Sequence, residues 1–130
     1  MKNLFLLRHA KSSWDNAALA DFDRPLSKRG ISNAILLSEY IQKHNITFDL
    51  VLSSPSERTQ STLDLVLSSL DHFPTTTLKE SIYHASPFSL TQLIKEQDDA
   101  INDLLIIGHN PGLHILTEQL TNLSIVKFPT

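Results

Sequence analysis

Cysteine is absent from the 130 residues. That excludes a disulfide framework, a thiolate zinc site and a cysteine nucleophile. Positive charge is not in excess: 11 Lys and Arg stand against 14 Asp and Glu, for a net charge of −3. No global field would draw the chain to nucleic acid or an anionic membrane, so any anion site must be local. Long apolar runs are missing too. The stretch at residues 4–7 is too short for the apolar core of a signal peptide, and Arg8 and His9 end it. No segment approaches membrane-spanning length. These absences lead us to expect a cytoplasmic protein. There is no internal repeat and no low-complexity segment, and proline and glycine are scattered as punctuation. One domain, residues 1–130, is therefore expected, a size that supports a core without staples.

Short apolar runs at residues 4–7, 50–52 and 104–107 are continuous rather than alternating. That pattern fits strands covered on both faces, as in a parallel sheet. Thr75, Thr76, Thr77 and Leu78 have the β-branched content of a fourth strand. Helical spacing fills the gaps. Ser27 can cap a helix over residues 28–43, with Ile31, Ala34, Leu37 and Ile41 on its core face. Ser54-Pro55-Ser56-Glu57 has the form of a capping box with proline at the first helical position. Its helix carries Leu63, Val66, Leu67 and Leu70 inward. Ser86-Pro87 opens a third helix, through Leu90, Leu93 and Ile94. Asn110-Pro111 opens a fourth, through Leu113, Leu116 and Leu120. Strand and helix alternate, so the expected fold is three-layer α/β/α around a mostly parallel central sheet.

In such sheets ligands bind beyond the carboxyl ends of the strands. Arg8 and His9 follow the first run, Arg58 lies in the helix turn after the second, and His109 follows the third. Two guanidiniums match the roughly two negative charges of a phosphate monoester and offer planar forks of donors. A helix N-terminus adds free backbone N–H groups. An imidazole, with a reference pKa of roughly 6.5, keeps a neutral nitrogen available near pH 7, and nearby arginines favour that form. His9 can thus act as nucleophile, with its other nitrogen held by a hydrogen bond, while His109 donates to a phosphate oxygen. Catalysis would then split into transfer to His9 and hydrolysis of the phosphohistidine. Glu80, just past the fourth strand, is the first choice for a general acid, with Asp15, Asp21 and Asp23 as competitors. A phosphohistidine substrate asks less of such an acid.

The segments Leu7-Arg8-His9-Ala10-Lys11-Ser12-Ser13-Trp14 and Asp21-Phe22-Asp23-Arg24-Pro25-Leu26-Ser27-Lys28-Arg29-Gly30 resemble the N-terminal part of the histidine phosphatase superfamily, the phosphoglycerate mutase-like proteins. Ser53-Ser54-Pro55-Ser56-Glu57-Arg58-Thr59 resembles the segment that carries its second arginine, and Gly108-His109-Asn110-Pro111-Gly112 the segment that carries its second histidine. The nearest subgroup is the SixA-type phosphohistidine phosphatases, with Ala10 in the place where the wider superfamily often has glycine. The resemblance implies that His9 is phosphorylated, that Arg8 and Arg58 bind phosphate, and that His109 completes the pocket. It places an acid near Glu80, on a looser match. It implies no cofactor and no metal. Relatives continue past a segment like Phe128-Pro129-Thr130 into a further strand, so the resemblance leaves two expectations open: a sheet edge reduced by the C-terminal strand of relatives, or a sequence that stops short of it.

The chain has little room for a lid, which suits a phosphohistidine on a protein surface, such as a phosphotransfer domain or a phosphocarrier. A monomer is expected, since nothing demands an oligomer. The alternatives are a small-molecule phosphomonoester phosphatase, a mutase-like phosphotransferase, and a non-catalytic phosphate binder. A histidine metal site is disfavoured, because His109 and His114 are five apart and Arg8 and Arg58 would repel a cation. Lys11, Arg24 and Arg29 read as electrostatic decoration of the entrance, and Trp14 as a loop anchor. His44, His72, His84 and His114 read as structural or exposed.

Overall fold

The computed structural model describes residues 2–125 and 127–130. Four strands, β1 (Asn3–Arg8), β2 (Leu50–Ser53), β3 (Thr75–Leu78) and β4 (Asp103–Gly108), form one sheet in the order β1-β4-β2-β3. Every pairing is parallel. Four helices cover it: α1 (Lys28–Lys43), α2 (Glu57–Leu67), α3 (Pro87–Lys95) and α4 (Gly112–Thr121). The layers explain why the apolar runs are continuous. Along β4, Leu105 and Ile107 pack with Ala34, Ile41, Leu63 and Val66 of α1 and α2. Leu104 and Ile106 point the other way, to Leu90, Leu93, Leu113 and Leu116 of α3 and α4. Alternate side chains of one strand thus serve two cores.

The helix starts follow capping chemistry, with shifts in detail. Ser27 accepts from the Gly30 N–H at 3.0 Å, and Ser86 accepts from the Ser89 N–H at 3.1 Å with Pro87 in the first turn. The start of α2 differs from expectation. Its cap residue is Ser56 rather than Ser54, and Pro55 lies before the helix. The Ser54 hydroxyl is occupied elsewhere, 2.8 Å from His109 Nε2. The fourth helix begins at Gly112, after the Asn110-Pro111 pair. On α1 the buried stripe is Gly30, Ala34, Ser38 and Ile41, and Ile31 is exposed. A Cβ at Gly30 would lie 2.2 Å from the Lys11 carbonyl oxygen, so that face is pressed against the loop after β1. Leu120 on α4 is likewise exposed rather than in the core.

Parallel pairing aligns the carboxyl ends of the strands. Arg8 pairs with Gly108, and Ser53 with Ile107. The ladder then continues by one residue on each strand, from His9 N–H to the Gly108 carbonyl and from Ser54 N–H to the Ile107 carbonyl, both at 3.1 Å. His9, Ser54 and His109 therefore leave the sheet side by side.

Candidate active site

A cavity of about 230 Å³ opens at this edge. Arg8, His9, Arg58 and His109, three chain segments apart in sequence, all line it. His9 and His109 are each 7% exposed and Arg58 is 4% exposed. The two imidazole centroids are 5.3 Å apart.

His9 is oriented by its own turn. Its Nδ1 lies 2.7 Å from the Ala10 carbonyl oxygen. A carbonyl can only accept, so Nδ1 carries the hydrogen and Nε2 keeps a free lone pair. The turn is held in place where Ala10 N–H donates to Thr62 Oγ1 of α2, at 2.9 Å. Burial pushes the His9 pKa down from 6.5 to about 4; Arg58, Arg8 and Arg24 push the same way, against the Ala10 carbonyl. His109 is pushed down to about 3, again chiefly by burial and then by Arg58. Both rings are neutral near pH 7. Arg58 Nη2 faces His109 Nδ1 at 3.4 Å. A guanidinium only donates, so Nδ1 accepts and His109 Nε2–H donates to Ser54 Oγ.

The arginines are held from the rim, leaving donors free within. Arg58 donates through Nη1 to the Asp21 carbonyl at 2.6 Å and through Nη2 to Asp21 Oδ2 at 3.0 Å. Arg8 Nη1 donates to the Phe128 carbonyl at 3.1 Å. Among the described residues, the Nε–H groups of both arginines are buried without an acceptor. Unmet buried donors are costly, so they mark a place where an acceptor belongs. An oxyanion meets that need.

Sequence reading missed several neighbours. Arg24, expected as entrance decoration, is buried and lines the cavity. It donates to Ser12 Oγ at 2.8 Å and to Asp21 Oδ1 at 3.1 Å, and its guanidinium carbon lies 3.5 Å from the centre of the Trp14 ring. Trp14 is no buried anchor: it is 72% exposed and covers Arg24 at the cavity wall. Asp21, weighed as an acid, is a clamp. The Tyr83 hydroxyl donates to its Oδ2 at 2.6 Å, and this bond, with Arg58 and Arg24, holds its pKa far below the usual carboxylate range. It stays ionised and has no proton to give. Glu80, the first choice for an acid, stands apart from the residues that line the cavity. Glu80 begins a 3-10 turn, Glu80–Ile82, that buries Ile82 and leaves Glu80 exposed and off the cavity wall. Among the described residues no Asp or Glu side chain lines the cavity, and no cluster of three His, Asp or Glu forms a metal site. His84, taken as structural or exposed, is on the wall. Its membership follows from the turn after β3, which no local pattern announces.

Residues 4–83 match the family model of the histidine phosphatase superfamily, branch 1. The chain belongs to that superfamily. It is 32% identical over 118 residues to an uncharacterized protein of Mycobacterium tuberculosis, covering 91% of this chain and 72% of that one. A 40-residue stretch is 50% identical to an uncharacterized chloroplast protein of Arabidopsis thaliana, covering 31% of this chain and only 18% of that relative's length. Among solved structures, a protein of Agrobacterium tumefaciens assigned as the phosphohistidine phosphatase SixA superposes with a TM-score of 0.91. It is 26% identical, over 98% of this chain and 85% of that one. An Escherichia coli protein assigned as an alpha-ribazole-5'-P phosphatase shares the fold, with a TM-score of 0.70 and 22% identity over 93% of this chain and 80% of that one. Superfamily and neighbours together support a phosphatase. Among the described residues, no helix is long and apolar enough to cross a membrane.

Proposed function

We propose that the chain hydrolyses phosphohistidine on a signalling or phosphocarrier protein, through a covalent phosphohistidine intermediate on His9. The observation that carries this reading is the cavity wall itself: a free imidazole Nε2 beside two arginines with unmet donors and, among the described residues, no Asp or Glu side chain. Arg8 and Arg58 bind the phosphoryl group through those donors. His9 Nε2 attacks phosphorus as the leaving atom departs, roughly in line. His109 takes part once phosphate draws Arg58 away from its Nδ1. Exchange with solvent then moves the ring proton from Nε2 to Nδ1, the Ser54 hydroxyl turns to donate to Nε2, and Nδ1–H faces a phosphate oxygen whose charge grows in the transition state. Water next attacks phospho-His9 and releases inorganic phosphate. The reading takes the chain as a monomer working in the cytoplasm, with no cofactor.

Phosphohistidine is favoured over a sugar or nucleotide phosphate because its leaving group is itself an imidazole. Transfer from imidazole to imidazole exchanges like for like, and the departing ring makes a smaller demand on an acid than an alkoxide does. An open cavity of this size also suits a side chain presented by a protein. Small-molecule phosphate hydrolysis is the second reading, and the ribazole phosphatase likeness is what favours it. One experiment separates the two. Phosphorylated histidine proteins, phosphoserine peptides and sugar phosphates are assayed in parallel for kcat/KM. Preference for phosphohistidine is expected; preference for a sugar phosphate overturns the protein substrate and leaves the His9 intermediate standing.

A further inference from the structure

With Glu80 exposed and Asp21 ionised, the group that His9 displaces still needs a proton. His9 lies at the buried floor of the cavity, so in-line displacement sends the leaving group outward, to the mouth. Among the described residues, the exposed ones that line this cavity are Lys11, Trp14, His84 and Thr130. Of their four side chains, the imidazole alone exchanges a proton readily in the neutral range.

The surroundings of His84 are built. A second cavity of about 320 Å³ lies between residues 84–87 and 109–112. It shares His84, His109 and Asn110 with the phosphate cavity. Gly112 sets its width, since a Cβ there would lie 2.4 Å from the Ala85 carbonyl oxygen. Asn110 brings to the shared wall a buried Oδ1 with no partner, an acceptor suited to an N–H of a departing ring. His84 itself has φ 58°, a left-handed conformation in a non-glycine residue. Its ring lies on that of Tyr83, with centroids 4.0 Å apart, and its Nε2 is 3.8 Å from Asp21 Oδ2. Asp21 therefore faces one nitrogen of the ring. No hydrogen bond holds Nδ1 among the described residues.

We propose that His84 is the proton donor to the leaving group, and that the cleft between residues 84–87 and 109–112 receives that group. The proposal rests on His9 being the nucleophile. In the first step the His9 Nε2 lone pair forms the N–P bond, the bond from phosphorus to the leaving atom breaks, and that atom takes its proton from His84 Nδ1–H. In the second step a water oxygen attacks phosphorus, neutral His84 takes the water proton, and the N–P electron pair returns to His9. The titratable and charged groups around His84 are Asp21 from the first loop, Tyr83 beside it, His109 after β4, and the cations Arg8, Lys11, Arg24 and Arg58 around the cavity.

The test is a single-turnover series over phosphate monoesters, from alkyl phosphates such as a phosphoserine peptide to aryl phosphates with strongly acidic phenols. Phosphoenzyme formation is timed in wild type and in His84→Asn, which tolerates the left-handed backbone. His84→Asn should lose about 100-fold or more on the phosphoserine peptide, and progressively less toward the acidic phenols. His84→Gly, which also accepts this φ, should recover part of the alkyl rate in added imidazole. A loss that is equal across the series, or no loss, overturns the role of His84 while wild-type phosphoenzyme still upholds His9. A wild type that never forms an acid-labile phosphoenzyme overturns both.

Discussion

The two ends of the sheet carry cavities of nearly equal size and opposite chemistry. At the amino end a cavity of about 240 Å³ is lined by Lys2, Asn3 and Asp99 among others. Polar groups there meet partners. Asp49 accepts the N–H groups of Asn102 and Asp103 at 2.9 Å each, Asn3 Nδ2 donates to Asp103 at 2.8 Å, and Lys2 Nζ donates to the Ile101 carbonyl at 2.8 Å. At the carboxyl end Arg8 Nε, Arg58 Nε and Asn110 Oδ1 are buried without partners, and two imidazoles are held neutral. Volume does not separate the two ends; polar satisfaction does. A fold that completes one end and leaves the other chemically unfinished keeps the second for a ligand.

The sharpest way to break this contrast is His9→Ala. Turnover should fall about 10,000-fold or more, because the other neutral ring, His109, has its nitrogens turned to Arg58 and Ser54. Release of inorganic phosphate and acid-labile labelling of the protein would both be measured. Labelling that survives the substitution would move the nucleophile elsewhere. Arg58→Ala comes next. Loss of a buried donor fork should lower kcat/KM about 100- to 1,000-fold. Arg58→Lys should restore little, since an ammonium cannot span Asp21 and a phosphate oxygen together.

Asp21→Asn probes the clamp rather than the phosphate donors. Asp21 holds both Arg58 and Arg24, so the variant should lower kcat by about 10-fold as the guanidiniums lose their aim. Removing a carboxylate from the rim also makes the cavity more positive. Inorganic phosphate should then inhibit several-fold more strongly, a change that simple loosening would not give. Inhibition that weakens in step with kcat would show that Asp21 serves only to hold the loop.

These neighbours mark where sequence reading stopped. The strands were legible because both faces of β4 are buried, which makes residues 104–107 apolar without alternation. Ser27 and Ser86 were legible as caps because each hydroxyl accepts the N–H three residues on, at the start of its helix. Ser54 looked like a cap, but its hydroxyl faces His109, and Ser56 begins the helix in its place. The four expected pocket residues stood out because each follows a strand end or opens a helix. Arg24 did not, because its burial depends on Ser12, Asp21 and Trp14 meeting across a loop with no periodicity. The exposure of Glu80 was not legible, because position after a strand does not say which way a 3-10 turn faces. His84 stayed hidden for the same reason.

The neutral imidazoles also leave a mark on stability. In the unfolded chain they protonate near their ordinary 6.5, and in the folded chain His9 resists until about 4 and His109 until about 3. Folded-state values are depressed, so this contribution is complete above pH 6.5 and is lost as pH falls toward 4. Each ring should cost about 1 to 2 kcal/mol between pH 7.5 and pH 5. Urea midpoints at the two pH values would show the loss, and His109→Gln should shrink it. A midpoint that holds steady down to pH 5 would mean that the rings are hydrated and that the carboxyl end is less buried than its geometry states.

The smallest effect belongs to the amino end. Asp49 is ionised more readily than an ordinary aspartate because the Asp103 and Asn102 N–H groups donate to it. Asp49→Asn keeps the size and an acceptor but removes the charge, so the thermal midpoint should drop slightly and kcat/KM should not change. The value of this variant lies in its silence. The carboxyl-end variants change catalysis with little change in the core, and Asp49→Asn should do the reverse, because its partners are backbone groups that end a loop and begin β4. A catalytic defect of about 10-fold in Asp49→Asn would mean that strain travels the length of β4 from one end to the other. The two ends would then be coupled, and the division of labour between a completed end and an unfinished one would not hold.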